Sequence, residues 1–243
     1  MDVLKYILLK KIEKEGGYID ASGYERNIRE LLKKMNSENL VEVDITNRHM
    51  YVRITEDGKQ YIEDFENSRL GISDIDLTLL DEKDREKFLI GLKNNLWMLI
   101  IGKSGIGKSY LLEQLSNLQR YIYTVGSTTK KAELLFFKTV AKPYGFGILI
   151  DELDKMPHAV QDALIEIYNE KVQVIGVAND ITKIPKYILD RFDLVFEIKI
   201  DVEKYKRILQ QAGVILSNEK YEKLFNDGVS IRKAIRLYNS GLL

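Results

Sequence analysis

One stretch of the sequence, NLWMLIIGKSGIGKSYLLEQL at Asn95–Leu115, constrains the fold more than any other. An uncharged apolar run leads into three glycines set among lysines and serines, and apolar residues at helical spacing follow. Glycines give the bend between the two elements access to backbone angles that other residues avoid. The stretch therefore predicts a strand, a tight loop and a helix, joined end to end.

The loop itself, GKSGIGKS at Gly102–Ser109, fits the phosphate-binding pattern G-x-x-x-x-G-K-S/T. Its backbone N–H groups can surround phosphate oxygens, and the following helix directs its positive end at them. Lys108 is expected to contact the β- and γ-phosphates, and Ser109 the Mg²⁺ ion. The alternative is a glycine-rich turn without a ligand. The predicted nucleotide-binding residues of this stretch are Gly102, Lys103, Ser104, Gly105, Ile106, Gly107, Lys108, Ser109 and Tyr110.

A second motif, FGILIDELDK, supplies carboxylates for a metal ion and a water molecule. An apolar strand that ends in Asp151 and Glu152 places both at the carboxyl edge of the sheet, where ligands of open α/β sheets bind. Asp151 is suited to hold Mg²⁺ through its water shell, and Glu152 to polarise the attacking water. The alternative is two solvated acids at a strand end.

Two further polar residues lie at the ends of predicted elements. Asn179 follows the strand VQVIGVA, where its amide could orient the attacking water, although asparagine also commonly forms turns there. Arg191 precedes the next strand and is placed to reach the nucleotide of a neighbouring subunit, where a guanidinium stabilises developing negative charge. Its alternative is an ion pair with Asp190 or Asp193.

Composition narrows the class of protein. The 243 residues are 45% hydrophobic, which is enough for a globular core. The 37 basic and 37 acidic residues cancel, so any nucleic-acid partner must be argued locally. The chain has no cysteine and two histidines, which argues against disulfides and thiolate or histidine-rich metal sites. No apolar run is long enough to span a bilayer, so we expect a cytoplasmic protein without a membrane partner.

The sequence of residues 1–68 predicts a small N-terminal domain. Helices are expected at Asp2–Lys14 and Glu25–Met35, followed by two strands with a turn at Asn47, a second turn at Asp57–Gly58 and a last helix. This order resembles a winged helix, although few residues remain for the usual middle helix. A connector is expected at Glu66–Asp76.

Residues 69–200 alternate strand and helix. Strands this continuously apolar predict a five-stranded parallel sheet covered on both faces, hence an α/β sandwich. Residues 201–243 predict a small helical domain. The predicted strands are Trp97–Ile101, Tyr121–Val125, Gly147–Asp151, Val172–Ala178 and Leu194–Ile200.

The order of these motifs, from residue 71 to the C-terminus, resembles the AAA+ ATPases. That resemblance implies a P-loop NTPase fold with a helical lid, ATP and Mg²⁺ as cofactors, and an oligomer, such as a ring, with the ATP site between subunits. The segment GVSIRKAIRLYN is similar to the lid helix of clamp loaders and origin-recognition ATPases, in which the first arginine contacts the nucleotide. In this sequence that arginine is Arg232.

Other segments, TVGSTTKKAELLF, IDELDKMPHAVQDALIEIYNEKVQV and ILDRFDLVFEI, look like those of minichromosome-maintenance helicases. The sequence departs from these helicases between Glu170 and Val174, where there is no room for their pore hairpin. MoxR-type chaperones, which remodel proteins, share the IDE…DRFD layout. The subfamily therefore stays open.

Three functions are consistent with these features. The first is an ATPase serving DNA replication or a related DNA transaction, with DNA and replication proteins as partners. The second is a MoxR-like protein-remodelling ATPase, and the third an ATP-gated transcription regulator. Through Ser68 the chain has 11 basic and 14 acidic residues, net −3, which gives no overall footprint for DNA. A local basic face is possible on the second helix, at Arg26, Arg29, Lys33 and Lys34.

Several remaining residues have a functional and a structural interpretation. Lys130 and Lys131 could touch nucleic acid from a central loop, or simply begin a solvated helix. Tyr18, Tyr24 and Tyr51 could stack on bases, but burial in the N-terminal domain is the commoner role of such aromatics. Trp97 is expected in the core, and His158 on the surface.

Overall fold

A computed structural model describes residues 3–67 and 75–243. The connector predicted at Glu66–Asp76 lies mostly outside these residues. Within them, no helix combines the length and apolar character that crossing a bilayer requires. The helices and strands follow in chain order: α1 Val3–Lys14, β1 Tyr18–Asp20, α2 Arg26–Ser37, β2 Val41–Thr46, β3 His49–Ile54, α3 Glu56–Asn67, α4 Glu82–Lys93, β4 Met98–Ile101, α5 Lys108–Ser116, β5 Tyr121–Val125, α6 Lys131–Ala141, β6 Gly147–Asp151, α7 His158–Gln161, α8 Ala163–Asn169, β7 Val174–Ala178, α9 Lys186–Leu189, β8 Leu194–Glu197, α10 Val202–Gln211, α11 Asn218–Asn226 and α12 Ile231–Asn239.

The larger sheet has five parallel strands in the order β5-β6-β7-β4-β8, which confirms the α/β sandwich. Its strands carry apolar side chains on both faces, and helices cover them, as parallel sheets require. Three strands are shorter than predicted, since β4 begins at Met98, β7 begins at Val174 and β8 ends at Glu197. Trp97 is 3% exposed and its indole nitrogen donates to the Val172 carbonyl across 2.8 Å, which confirms its place in the core. Only a short turn over residues 170–173 separates α8 from β7, as expected for a chain without the pore hairpin.

The N-terminal unit is a three-stranded antiparallel sheet, ordered β1-β3-β2, with helices α1, α2 and α3. The turn at Asn47 forms as predicted: Asn47 and Arg48 have φ of 51° and 69°, typical of a tight hairpin. Strand β1 was not predicted, because three residues are too few to show an alternating pattern.

The predicted turn at Asp57–Gly58 is wrong, because both residues lie in the first turn of α3. A Cβ atom on Gly58 would lie 2.2 Å from the carbonyl oxygen of Leu40. The glycine therefore permits close packing of α3 against the chain before β2, rather than a turn. Tyr18 also departs from expectation: it is 49% exposed and stacks on Tyr51 at a ring-centroid distance of 5.6 Å.

Aromatic contacts join the N-terminal unit to the α/β unit. The ring of Tyr6 stacks on Phe65 at 4.2 Å and meets the edge of Phe146 at 5.8 Å. Tyr24 meets Phe136 of α6 at 5.7 Å in the same edge-on manner. The apolar cores of the two units are consequently continuous, and their relative position is stabilised by aromatic packing.

The C-terminal helices α10, α11 and α12, called the lid below, form a separate small core around Tyr205, Leu209 and Tyr221. The lid is tied to the α/β unit by Lys204, whose ammonium lies 2.6 Å from a carboxylate oxygen of Asp81. This ion pair helps to set the lid beside the carboxyl ends of the parallel strands.

Candidate nucleotide-binding site

A cavity of about 660 Å³ opens where the loop after β4, the ends of β6 and β7, and the lid meet. This volume is within the range of small-molecule sites in proteins. Of the predicted site residues, those that line it are Ser104, Gly105, Ile106, Gly107, Lys108, Ser109, Tyr110, Asp151, Glu152, Asn179 and Arg232. Gly102 and Lys103 contribute backbone carbonyl oxygens that accept hydrogen bonds from Lys108. Arg191 lies outside the cavity.

The loop is shaped by its glycines. Gly107 has φ of 104° and immediately precedes α5, and no side chain in the described part of the chain caps that helix. The first N–H groups of α5 are therefore available to an anion, and the helix dipole favours one. Gly105 has φ of 79°, and a Cβ there would lie 2.7 Å from the Cβ of Ser230 in the lid. The loop and the lid thus approach as closely as a glycine allows.

Lys108 is the buried cation of the cavity, with 5% of its surface exposed. Its ammonium donates to the carbonyl oxygens of Gly102 and Lys103, both at 2.7 Å, and to Oδ1 of Asn179 at 2.9 Å. Burial lowers the pKa of Lys108 to about 8, although the negative charges of Asp151 and Asp154 oppose this shift. A phosphate beside the ammonium would favour its charged form.

Asp151 is buried at the end of β6, and both of its carboxylate oxygens accept hydrogen bonds. Oδ1 accepts from the backbone N–H of Glu152 at 2.8 Å, and Oδ2 from the hydroxyl of Tyr123 at 3.2 Å. Burial and the nearby Asp151 raise the pKa of Tyr123 to about 12, so this hydroxyl remains a donor. No sequence motif indicates Tyr123 as a partner of Asp151, because the two residues lie on different strands.

The site fits Mg²⁺ by the chemistry of its donors. The Ser109 hydroxyl and the Asp151 carboxylate, both on the cavity, are the hard oxygen ligands that Mg²⁺ prefers. Within residues 3–67 and 75–243, no cluster of three or more His, Cys, Asp or Glu side chains could hold a metal alone. The ion would therefore complete its shell with water and phosphate oxygens, as Mg²⁺ commonly does.

Glu152 has a left-handed backbone conformation, with φ of 53°, and its side chain has two partners. The hydroxyl of Ser127 donates to Oε2 at 2.9 Å, and the ammonium of Lys155 donates to Oε1. Lys155 first, and then Ser127, lower the pKa of Glu152, which keeps it ionised as a general base requires. Ser127 and Lys155 were not predicted as partners of Glu152, because the sequence does not show which side chains they contact.

Arg232 lies in the first turn of α12, the last helix of the lid, and its backbone nitrogen lies 3.4 Å from the carbonyl oxygen of Gly105. The positive charge of Arg232 contributes to lowering the pKa of both Lys108 and Glu152 across the cavity. Arg232 is therefore placed to contact a nucleotide held between the loop and the lid.

Arg191 lies outside the cavity and has no ion pair in the part of the chain that the structure describes. Asp193 instead accepts a hydrogen bond of 2.8 Å from the backbone N–H of Trp97. The guanidinium of Arg191 donates to the carbonyl oxygen of Tyr187 and lies over the ring of Tyr168, 5.6 Å from its centroid. The alternative of a pair with Asp190 or Asp193 is therefore not what the structure contains.

The sheet order, the glycine loop and the acids at the end of β6 define an α/β fold of the P-loop class. The family model for the ATPase family associated with various cellular activities (AAA) matches residues 98–200. Over this segment the chain is similar to AAA ATPase domains. A comparison with curated protein sequences finds no match.

Solved structures similar to this chain share its fold. One is the Thermotoga maritima RuvB Holliday junction branch migration motor, with 20% identity and a TM-score of 0.53, covering 65% of this chain and 60% of that chain. Another is the FIGL-1 AAA domain, with 14% identity and a TM-score of 0.56, covering 89% of this chain and 78% of that domain. The FIGL-1 AAA domain in complex with ADP has a TM-score of 0.54, at 14% identity over 88% of this chain and 77% of that one. The chain spans about 60% of the length of the RuvB protein it matches.

Proposed function

We propose that this chain is an oligomeric AAA+ ATPase that uses ATP hydrolysis to drive DNA replication or a related DNA transaction. The DNA partner rests on the exposed cations of α2: Arg29, Lys33 and Lys34 are exposed and form no ion pair among the described residues, whereas Arg26 pairs with Glu30 at 2.7 Å. Unpaired cations on one helix are available to the phosphates of a nucleic acid. The similarity to a RuvB branch migration motor supports a DNA substrate.

The proposed hydrolysis uses the residues of the cavity in distinct roles. The N–H groups of the loop 102–109 and the ammonium of Lys108 bind the phosphates, and Ser109 and Asp151 hold Mg²⁺, which neutralises phosphate charge when bound. Glu152 takes a proton from the attacking water once Ser127 and Lys155 release it, and Asn179 orients that water. Arg232 contacts the nucleotide from the lid.

The proposed oligomer places the ATP site between subunits. Arg191 is outside the cavity of its own subunit and lacks a carboxylate partner among the residues that the structure describes, so its charge is available to an external anion. We assign that anion to the triphosphate of a neighbouring subunit, where an arginine stabilises the charge that develops during phosphoryl transfer. Hydrolysis should consequently depend on assembly.

The N-terminal unit, proposed to span residues 1–68, is winged-helix-like. Its element order α1-β1-α2-β2-β3-α3 and its sheet order β1-β3-β2 support that assignment. The ATPase core then spans residues 69–200 and the lid residues 201–243. In this arrangement α2 is the helix that contacts DNA. Replication proteins would contact parts of the surface outside α2.

A second candidate function is protein remodelling of the MoxR kind. The net charge of −3 over residues 1–68 favours protein remodelling, because the surface outside α2 repels the phosphate backbone of DNA. The similarity to the FIGL-1 AAA domain is equally compatible with this function.

ATPase activity with and without single- and double-stranded DNA, measured on the full chain, separates the two. We expect DNA to stimulate turnover, and the triple variant Arg29→Ala, Lys33→Ala, Lys34→Ala to lose that stimulation while keeping the basal rate. A matched control removes three exposed lysines of α4, Lys83, Lys87 and Lys93, and should respond to DNA normally.

The salt dependence of DNA binding by the same variants completes the test. Each lost phosphate contact should reduce the slope of log affinity against log salt by about one. ATP turnover that does not respond to DNA, together with no gel shift of DNA, would contradict the DNA function and favour remodelling. Sequence-specific DNA binding with negligible turnover would instead favour an ATP-gated regulator.

A further inference from the structure

The side chains around Arg191 form a defined surface on the side of the α/β unit that lies outside the ATP cavity. It comprises Tyr168 at the end of α8, Tyr187 in α9 and Arg191 itself. The guanidinium lies over the Tyr168 ring, one of its terminal N–H groups donates to the Tyr187 carbonyl, and its buried Nε has no partner among the described residues. Every partner of this cation is therefore uncharged.

We propose that Tyr168 is a positioning residue for Arg191: its ring holds the guanidinium ready for the triphosphate of the neighbouring subunit. The inference rests on the proposed function, which places Arg191 at that subunit's site. Tyr168 does not touch the nucleotide in this arrangement and acts only through Arg191.

The choice of an aromatic ring follows from what the arginine must do. A carboxylate would hold the guanidinium firmly, but it would also compete with the incoming phosphate for the same N–H groups. A ring face attracts the cation through its quadrupole and leaves N–H groups at the edge of the guanidinium plane free. Tyr168 can thus hold Arg191 without neutralising it.

Tyr168 is itself held in place by the core. Its ring meets Trp97 edge-on, with centroids 5.4 Å apart and planes at 83°, and Trp97 packs on Phe192 at 5.4 Å. The indole N–H of Trp97 is fixed by the Val172 carbonyl. Since Tyr168 remains 40% exposed, this aromatic cluster reaches the surface, where a neighbouring subunit could meet Arg191.

A mixing experiment tests this in a directional way. Lys108→Ala subunits should not bind ATP but can donate Arg191, and Arg191→Ala subunits bind ATP but donate no arginine. Each should be inactive alone, and a mixture should recover ATPase activity at the junctions where the two complement each other. Tyr168→Leu is then added to one kind of subunit at a time.

We expect Tyr168→Leu on the Lys108→Ala subunit to lower the recovered activity about tenfold, and the same change on the Arg191→Ala subunit to have no effect. Tyr168→Phe on the donor should restore the activity, because it keeps the ring. Native mass checks assembly, and thermal unfolding of each variant checks that the fold persists.

The outcomes separate the two proposals. Recovered activity that falls equally whichever subunit carries Tyr168→Leu, or that does not fall at all, would overturn the role of Tyr168 and leave the shared site intact. A failure of the unmodified mixture to recover activity, with mixed assemblies present, would instead overturn the shared site and this inference with it.

Discussion

The ammonium of Lys108 donates a 2.9 Å hydrogen bond to Oδ1 of Asn179, which joins the loop 102–109 to the end of β7. Both side chains line the same cavity as Asp151 and Glu152. A phosphate oxygen is a charged and therefore stronger acceptor than an amide oxygen. We expect bound nucleotide to draw Lys108 from Asn179 and leave that amide free to hold the attacking water.

The affinity for ATP should depend on the protonation of Lys108. Its pKa of about 8 belongs to the free protein, and bound phosphate raises it, so binding is strongest where the group is already protonated. Affinity should be greatest below pH 8 and fall by up to about tenfold per pH unit above it. Calorimetric titrations with ATP at several pH values measure this.

The control for that titration is Lys103→Ala, which removes an exposed cation from the same loop and should keep the profile of the unchanged protein. An affinity that stays constant from about pH 7 to about pH 9.5 would show that Lys108 carries no titrating charge at the phosphates.

Tyr123→Phe should weaken the binding of Mg²⁺ with nucleotide. The substitution removes the hydroxyl that donates to Oδ2 of Asp151, and loss of such a supporting bond lowers metal affinity by roughly tenfold. Mg²⁺ titrations followed by nucleotide binding measure it. Tyr110→Phe is the control, because Tyr110 lines the same cavity and its hydroxyl has no hydrogen bond within the described chain. Equal Mg²⁺ affinities in both variants would argue against Tyr123.

Arg191→Ala should lower ATP turnover by about 10³–10⁵ while ATP affinity and native mass stay unchanged. The proposed role of the guanidinium is to stabilise charge that develops during the reaction, and Arg191 lies outside the cavity of its own subunit. Arg207→Ala, an exposed arginine of the lid, provides the matched control. Full turnover by Arg191→Ala in an intact oligomer would contradict a role for Arg191 in ATP hydrolysis.

Gly58→Ala should destabilise the N-terminal unit by about 1–3 kcal/mol, because the new Cβ meets the Leu40 carbonyl and forces the packing apart. Thermal unfolding measures the change. Gly23→Ala serves as the control, since a Cβ at Gly23 has nothing within 4 Å. If the two variants unfold at the same temperature, α3 does not pack on Leu40 as described.

Much of the α/β unit could be predicted, because each buried strand is a continuous apolar run bounded by turn residues. The loop at Gly102–Ser109 and the acids at Asp151 and Glu152 were also singled out from the sequence as candidates, since phosphate chemistry requires particular residue types at fixed spacings; their roles stay predictions. The partners Tyr123, Ser127 and Tyr168 were not, because their contacts join side chains that are distant in sequence.

Gly58 shows a different reason for failure. The sequence marks a glycine as a turn or a breaker, but this one is needed for the approach of a distant backbone. Such a requirement is set by tertiary packing and leaves no local pattern. The strand at Tyr18–Asp20 was not predicted for a similar reason, because it is stabilised by its pairing with β3, which is distant in sequence.

The most direct test compares the unchanged protein with Glu152→Gln in one experiment that follows Mg²⁺-dependent ATP binding by calorimetry and ADP formation by single-turnover assay. We predict that both bind ATP with similar affinity and that only the unchanged protein forms ADP at an appreciable rate, with Glu152→Gln holding intact ATP. ADP formation by Glu152→Gln at the rate of the unchanged protein, or no binding by either, would contradict the assignment of this cavity.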